Sequence, residues 1–522
     1  MAKEEAITDS VITERTHAEI MVIVTALMLA MLLAALDQTI VATALPKIAS
    51  DLHGLNKLSW VATAYLMTSA IVTPIYGKVS DMYGRKKMLQ SAIVVFLIGS
   101  ALCGLSQNMD QLVFFRAIQG LGAGGLMTLV LAVIGDIIPP RQRGRYQGYF
   151  GAVFAISSVV GPLLGGFFAD SHTLGWRWIF YINLPIGVIA LSAIASRLHL
   201  PVRITKHRID FAGASLLALT IASLILITVL GGVTYAWTSP EVIGLGALTI
   251  ISLISFILRE KVAEEPILPL RLFKNRIFSV AIVMSLLGGF ALFGAIIFIP
   301  EYQQIVRGYS ATKSGLLMLP LIGGLLVALL TSGRIIAKTG RYRYLPIIGS
   351  IFVIIGFYLF SHIGLETNQL TLSIWMVILG LGMGPFTQIT TLSVQNSAER
   401  KDLGTATSSV TFFRSLGSSL GASIFGAILV NRLSYNLKHL LPPQAKAAHI
   451  TAKSLQASTS QLKNAPPAVL HAVLESFAKS FHVIYLCGVP LAVMMLIAAL
   501  LLKETPLRTS THDMAKVESL EI

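Results

Sequence analysis

The sequence predicts an all-α polytopic membrane protein. Three observations carry that reading. Of 522 residues, 54% are hydrophobic and only 12% are charged, whereas soluble domains carry roughly 25% charged residues. Apolar segments recur along the whole chain, many of them near the ~20 residues a helix needs to cross a bilayer. The basic residues behind the net charge of +15 gather in alternate loops, the bias by which helical membrane proteins set their orientation.

Taken in order, fourteen apolar segments can be counted. The first six centre near Ala30, Met67, Val95, Leu126, Ser158 and Ile189, the next two near Ala222 and Leu248. The last six centre near Phe290, Leu325, Ile355, Leu379, Leu416 and Val493. Basic residues fill every second loop: Lys78, Arg85, Lys86 and Lys87; Arg141, Arg143 and Arg145; Arg197, Arg203, Lys206 and Arg208. Arg259, Lys261, Arg271, Lys274 and Arg276 follow, then Arg334, Lys338, Arg341 and Arg343, then Arg400 and Lys401. The loops between hold only Lys47, Lys57, Arg177, Arg307 and Lys313. The rich loops and both termini are therefore expected on the cytoplasmic side. The same placement explains the charge without nucleic acid as a partner.

The expected organisation is a cytoplasmic tail (1–19), a six-helix bundle (20–200), an inserted helix pair (201–262), a second six-helix bundle (263–503) and a cytoplasmic tail (504–522). Residues 431–479 are expected as a long outer loop, with amphipathic helix at Leu437, Leu440 and Leu441 and at Leu470, Val473 and Leu474. The segment Ile20–Leu45 is longer than the apolar core of a signal peptide, so it is expected to stay as a span. Cys103 and Cys487 form no spacing pattern, so neither a disulfide framework nor a metal site is expected.

A weak internal repeat supports two bundles. Gly77-x6-Gly84-Arg85 matches Gly333-x6-Gly340-Arg341 at an offset of 256, and Gly120-Leu121-Gly122 matches Gly380-Leu381-Gly382 at 260. Transporters built from such repeats hold their binding site between the halves.

Charges inside the spans mark candidate chemistry. Asp37 lies within the first span, at a depth where a carboxylate costs roughly 2.5–3.5 kcal/mol. Arg116 in the fourth span lies within reach of it, and pairing would lower the cost of both. Arg414 in the thirteenth span is about 15 Å past Gly404 and has no evident partner. Snorkelling to the outer headgroups is the alternative for Arg116; Arg414 is too deep for that, and helix packing explains it as readily as function. At the cytoplasmic loop, Gly77, Asp81, Gly84, Arg85 and Lys86 with Asp136 read as a latch, since orientation alone does not require an acid between two glycines. Gly161, Pro162, Gly165 and Gly166 form a small-residue patch suited to close helix contact. The second half has no acid in the core of its spans; Glu301, after Pro300, is the nearest. Gln38, Glu301, Gln388, Thr391, Phe412, Phe413 and Arg414 are the candidate cavity lining, although helix packing explains any one of them equally simply.

Together these motifs resemble the fourteen-span drug:proton antiporter branch of the major facilitator superfamily. Leu36 to Pro46 is similar to its first-span motif, and Gly77 to Lys87 to its loop motif. Arg116-x3-Gly120 with Gly124 resembles the fourth-span motif, Gly161-Pro162-x2-Gly165-Gly166 the antiporter motif, and Trp176 to Gly187 the sixth-span motif. The resemblance implies two six-helix bundles plus two inserted helices. It implies that Asp37 binds a proton or cation, that Arg116 supports proton transfer, and that Asp81, Arg85 and Asp136 hold one half against the other. Ser157 departs from the glycine that usually begins the antiporter motif, and Met376 stands where the second half would repeat Arg116.

The expected function is a multi-pass exporter in the cytoplasmic membrane of a bacterium. It exchanges protons for a lipophilic, cationic compound, with the proton gradient as energy source and no cofactor. Two alternatives stay open: export of an endogenous lipid or glycolipid, and a non-transporting sensor or scaffold. No Ser/His/Asp set, metal cluster or phosphate loop points to an enzyme. An accessory envelope partner is not indicated by any residue.

Overall fold

The computed structural model describes residues 17–53, 57–171, 174–198, 210–232, 234–442 and 466–507. These residues are helical, with no strand among them. The first group comprises α1 (His17–Asp51), α2 (Leu58–Tyr83), α3 (Arg85–Leu105), α4 (Met109–Ile137) and α5 (Pro140–Asp170). It ends in a broken element, α6 (Trp178–Tyr181) and α7 (Asn183–Arg197). Then come α8 (Phe211–Leu230) and α9 (Pro240–Val262). The last group is α10 (Arg276–Ile305), α11 (Ala311–Leu316), α12 (Leu319–Thr339), α13 (Tyr344–Phe360), α14 (Gln369–Ser397), α15 (Leu403–Leu440) and α16 (Pro467–Leu501). Among the described residues, 12 helical segments are long and apolar enough to cross a membrane, and α13 is a shorter apolar helix of 17 residues.

The apolar residues sort into separate cores. Leu27, Phe96, Leu126 and Val133 belong to the first group of helices, Phe298, Phe357, Phe386, Phe425 and Tyr485 to the last. Lipid tails give little hydrophobic drive between helices, so close backbone approach at small residues supplies the attraction. At the α10–α15 crossing, a Cβ on Gly289 would lie 2.0 Å from the Arg414 carbonyl oxygen. No larger residue fits there.

The pair α8–α9 packs outside both groups. Leu217, Ile221 and Ile225 meet Ala70 of α2 and Phe412 of α15. The linker after α9 is held on both sides: Glu265 pairs with Lys78 of α2, and Arg271 with Asp402 at 2.8 Å, just ahead of α15. The Glu260 carboxylate accepts from the backbone N–H groups of Ile267 and Leu268, both at 3.1 Å, which fixes the chain reversal.

Two expectations are corrected here. Residues Asn431–Leu440 and Pro467–Lys479 are not outer-surface loop but continuations of α15 and α16. Leu429, Leu433, Leu437 and Leu441 keep one buried stripe at i, i+4 spacing, facing Val473 and Phe477 of α16 in a common core. The trios read as amphipathic surface helix are the outer turns of two long packed helices. Phe412 and Phe413 do not line a cavity either: Phe412 is buried in the seam with α2 and α8, and Phe413 stacks edge-on against Phe273 of the linker. The tails 1–16 and 508–522, the centre of the expected loop (443–465), and Arg203, Lys206 and Arg208 lie outside the described residues.

Candidate functional site

Asp37 stands in the middle of α1 and is fully buried. Arg116 on α4 donates to its Oδ2 at 2.5 Å. Gln119, one turn along the same face of α4, donates Nε2 to Oδ1 at 2.8 Å and accepts from Arg116 at 2.8 Å. The third donor comes from the sixth element. The break at Ile182 makes Asn183 the first residue of α7, and its Nδ2 reaches Asp37 Oδ1 at 3.2 Å and Ser100 Oγ at 3.0 Å. Ser100 in turn donates to the Phe180 carbonyl at 2.8 Å, so its lone pairs face the amide. The Arg116 guanidinium lies 4.1 Å over the Tyr65 ring, a cation–π contact. Every described partner of the Asp37 oxygens is a donor, so the pocket is built around the ionised carboxylate.

The second cluster ties the two groups of helices together at the end of α2. Gly84, with φ 96°, allows the reversal from α2 into α3. Arg85, the first residue of α3, pairs with Asp81 at 2.6 Å and with Asp136 at 2.9 Å, and donates to Ser80 Oγ at 2.6 Å. Asp81 then crosses to the other group. Its oxygens accept from Gly404 N at 3.1 Å, Thr405 N at 2.8 Å and Thr405 Oγ1 at 3.0 Å. Two carboxylates against one guanidinium leave a net negative charge, and the positive N-terminus of α15 offsets it. Gly77 and Gly404 make the approach possible: a Cβ on Gly77 would lie 2.1 Å from Ser408 Oγ. Lys86 is not part of this cluster; it donates to the Ala195 carbonyl at 2.7 Å.

Arg143, which sequence reasoning treats as one of the loop charges, is fully buried beside this cluster. It donates to the Ile138 carbonyl at 2.7 Å and to the Gly135 carbonyl, capping the C-terminus of α4. It also reaches Gln395 of α14 at 3.5 Å, and Gln395 donates to the Leu131 carbonyl at 3.1 Å. These are further bonds between the two groups at the same end.

The patch on α5 packs against α1 one turn from Asp37. A Cβ on Gly161 would lie 2.0 Å from Thr39 Oγ1, and one on Gly165 2.0 Å from Thr43 Oγ1. Thr39 donates to the Ser157 carbonyl at 2.9 Å, so the serine that departs from the motif still sits at the contact. Gly166 faces open space, with nothing within 4 Å of a Cβ there, and Pro162 is internal to α5.

The remaining cavity candidates divide. Gln38 is half-buried beside the Tyr65 hydroxyl. Gln388 is buried and accepts from Ser332 of α12 at 2.5 Å, a tie between helices. Thr391 accepts from Arg414 at 3.1 Å. Glu301 is half-buried one turn before the end of α10 and makes no hydrogen bond to a described residue. Gln119 could have been found from its i+3 spacing to Arg116; Asn183 had no signal beyond its place in the sixth-span motif. Among the described residues no group of His, Cys, Asp and Glu is arranged to hold a metal ion.

Comparison with known proteins gives a consistent family. The profile of the Major Facilitator Superfamily matches residues 27–422. The chain is 36% identical to multidrug resistance protein 3 of Bacillus subtilis, over 97% of this chain and 99% of that protein. It is 39% identical to the multidrug transporter protein MdtP of the same organism, over 85% and 82%. Among solved structures, the proton:xylose symporter XylE superposes with a TM-score of 0.62 at 15% identity, covering 97% of this chain and 100% of that one. At that identity the likeness speaks for the fold alone.

Proposed function

Because the chain belongs to the Major Facilitator Superfamily, we propose that it is a proton-coupled exporter of amphipathic compounds, working by alternating access. The observation that carries this reading is the fully buried Asp37–Arg116 pair, with Gln119 and Asn183 as further donors. An acid held so deep is costly unless its charge is used. Relatives carry the names multidrug transporter and multidrug resistance protein, which agrees with export of varied compounds.

In this reading α2 and α13 complete fourteen spans, and the Asp81 end with both termini is cytoplasmic. The bonds from Asp81 to α15 and from Arg143 to Gln395 hold that end shut. Protonation of Asp37 from outside would remove the charge that holds Arg116, Gln119 and Asn183 together. The freed first group of helices can then rock against the second, breaking the Asp81 ties and admitting cargo from the cytoplasm. Among the described residues within the spans, a cationic cargo, the charge expected from the motifs, would find an acid at Glu301, because Asp37 is enclosed by donors.

The test is reconstitution of the full chain into proteoliposomes under an imposed pH gradient. Gradient-driven uptake of amphipathic dyes that collapses when nigericin dissipates the gradient is the expected result. Equal dye distribution with and without the gradient, for a protein that still binds the dyes, would refute proton coupling.

A further inference from the structure

Arg414 is a charge inside the protein that the Asp37 and Asp81 clusters leave unused. It lies about 15 Å along α15 from Gly404, and its Nη2 donates to the Thr387 carbonyl at 3.3 Å and to Thr391 Oγ1 at 3.1 Å. Its Nε and Nη1 have no acceptor among the described residues, and the residue is half-buried. No charged group of the described residues acts on it.

Its surroundings fix where those nitrogens sit. Thr391 and Thr387 are one and two turns along α14 from Gln395, the residue that meets Leu131 across the closed end. Arg414 therefore stands about 6–12 Å along α14 from the point where the two groups of helices touch. Ser285 of α10, one turn from the Gly289 contact, adds a buried hydroxyl with no partner at the same level. Asp37 is enclosed elsewhere, and Glu301 is twelve residues past Gly289, about 18 Å away along α10.

We propose that Arg414 is the cargo-binding group of the central space, and that the cargo carries an acidic oxyanion head, a carboxylate or sulfonate, on an apolar body. This rests on the exporter reading above and names its substrate class. A guanidinium at this depth with two nitrogens unused is costly alone, and its planar fork matches a carboxylate with two parallel bonds. Thr391 and Thr387 hold the third nitrogen and so orient the fork. A cationic head would meet a like charge at the same place.

The test uses purified full-length protein in detergent and three probes on one aromatic body: pyrenebutyrate, its methyl ester, and the matching pyrenebutyl trimethylammonium. Binding is read as energy transfer from tryptophan to pyrene. Wild type is expected to bind the carboxylate about tenfold or more tighter than the other two. Arg414→Gln should abolish that preference by weakening the carboxylate about tenfold and the ester far less, and Arg414→Lys should retain part of it. Tighter binding of the ammonium by wild type, no binding of any probe, or an equal loss for all three in R414Q would overturn the assignment; the last would make Arg414 a tie between α14 and α15. Should R414Q not fold, the wild-type ranking and R414K decide alone. Gradient-driven flux is measured separately, so a wild type without carboxylate preference but with flux intact sinks only this inference, and the reverse sinks only the coupling.

Discussion

Asn183 donates its Nδ2 to the Asp37 carboxylate at 3.2 Å, while its own Oδ1, fully buried, accepts no hydrogen bond. The two facts belong together. A protonated Asp37 has a hydrogen to donate, but Arg116, Gln119 and Asn183 all present donors to it. Gln119 cannot turn its amide cheaply, because its Oε1 already accepts from Arg116 and Cys103. Asn183 can, since its oxygen is free and turning gives up only the bonds of Nδ2. The amide of Asn183 is thus suited to follow the protonation of its neighbour.

Asn183→Ala removes one hydrogen bond to Asp37, worth about 0.5–1.5 kcal/mol, and with it the amide that can turn, so the pH dependence of exchange should change. Exchange rates measured across pH in proteoliposomes check this. An unchanged midpoint with a uniformly lower rate would mean that Asn183 only packs.

Asp81→Ala removes three accepted bonds across the closed end and leaves Arg85 with Asp136 and Ser80. Charge-assisted bonds are worth about 1.5–3 kcal/mol each, so even one of them shifts the open–closed balance by an order of magnitude or more. Spin labels placed on the two sides of this end should show a longer distance population in the variant. A distribution identical to wild type would mean that Asp81 does not hold the halves.

The two ends of the α5 patch should behave oppositely. Gly161→Ala places a methyl group 2.0 Å from Thr39 Oγ1, and overpacking of this kind costs typically 1–3 kcal/mol. Gly166→Ala enters open space and should leave melting temperature and exchange unchanged. Equal tolerance at both positions would contradict the close approach of α1 and α5.

Arg143→Ala should destabilise the protein more than removal of an ordinary loop charge. It leaves the carbonyls of Gly135 and Ile138 buried without that donor, at about 1–3 kcal/mol for each group left unsatisfied. Thermal unfolding in detergent, compared with Lys87→Ala as an exposed basic control, reads the difference. Similar melting temperatures would return Arg143 to a role in orientation alone.

Spans, charge bias and the Asp37, Asp81 and glycine motifs were legible because each leaves a local mark: a run of apolar residues, a charge where none belongs, or glycines at fixed spacing. What stayed hidden was relational. Arg143 looks in sequence like the other loop charges until α4 is seen to end above it, and Phe412 reads as cavity lining until α8 is found against it. The outer turns of α15 and α16 were read as loop because Asn431, Arg432, Lys438 and His439 interrupt the apolar run. The buried stripe beneath them becomes visible only when the two helices are paired. Asn183 needed the break at Ile182 to turn its side chain toward α1.

Asp37→Asn tests the central claim most directly, because it keeps the shape of the side chain and removes the charge. In proteoliposomes loaded with an amphipathic probe, the variant should still exchange probe down its own concentration gradient but lose accumulation driven by an imposed pH gradient. Accumulation at the wild-type rate, with the wild-type dependence on pH, would show that the proton is carried elsewhere.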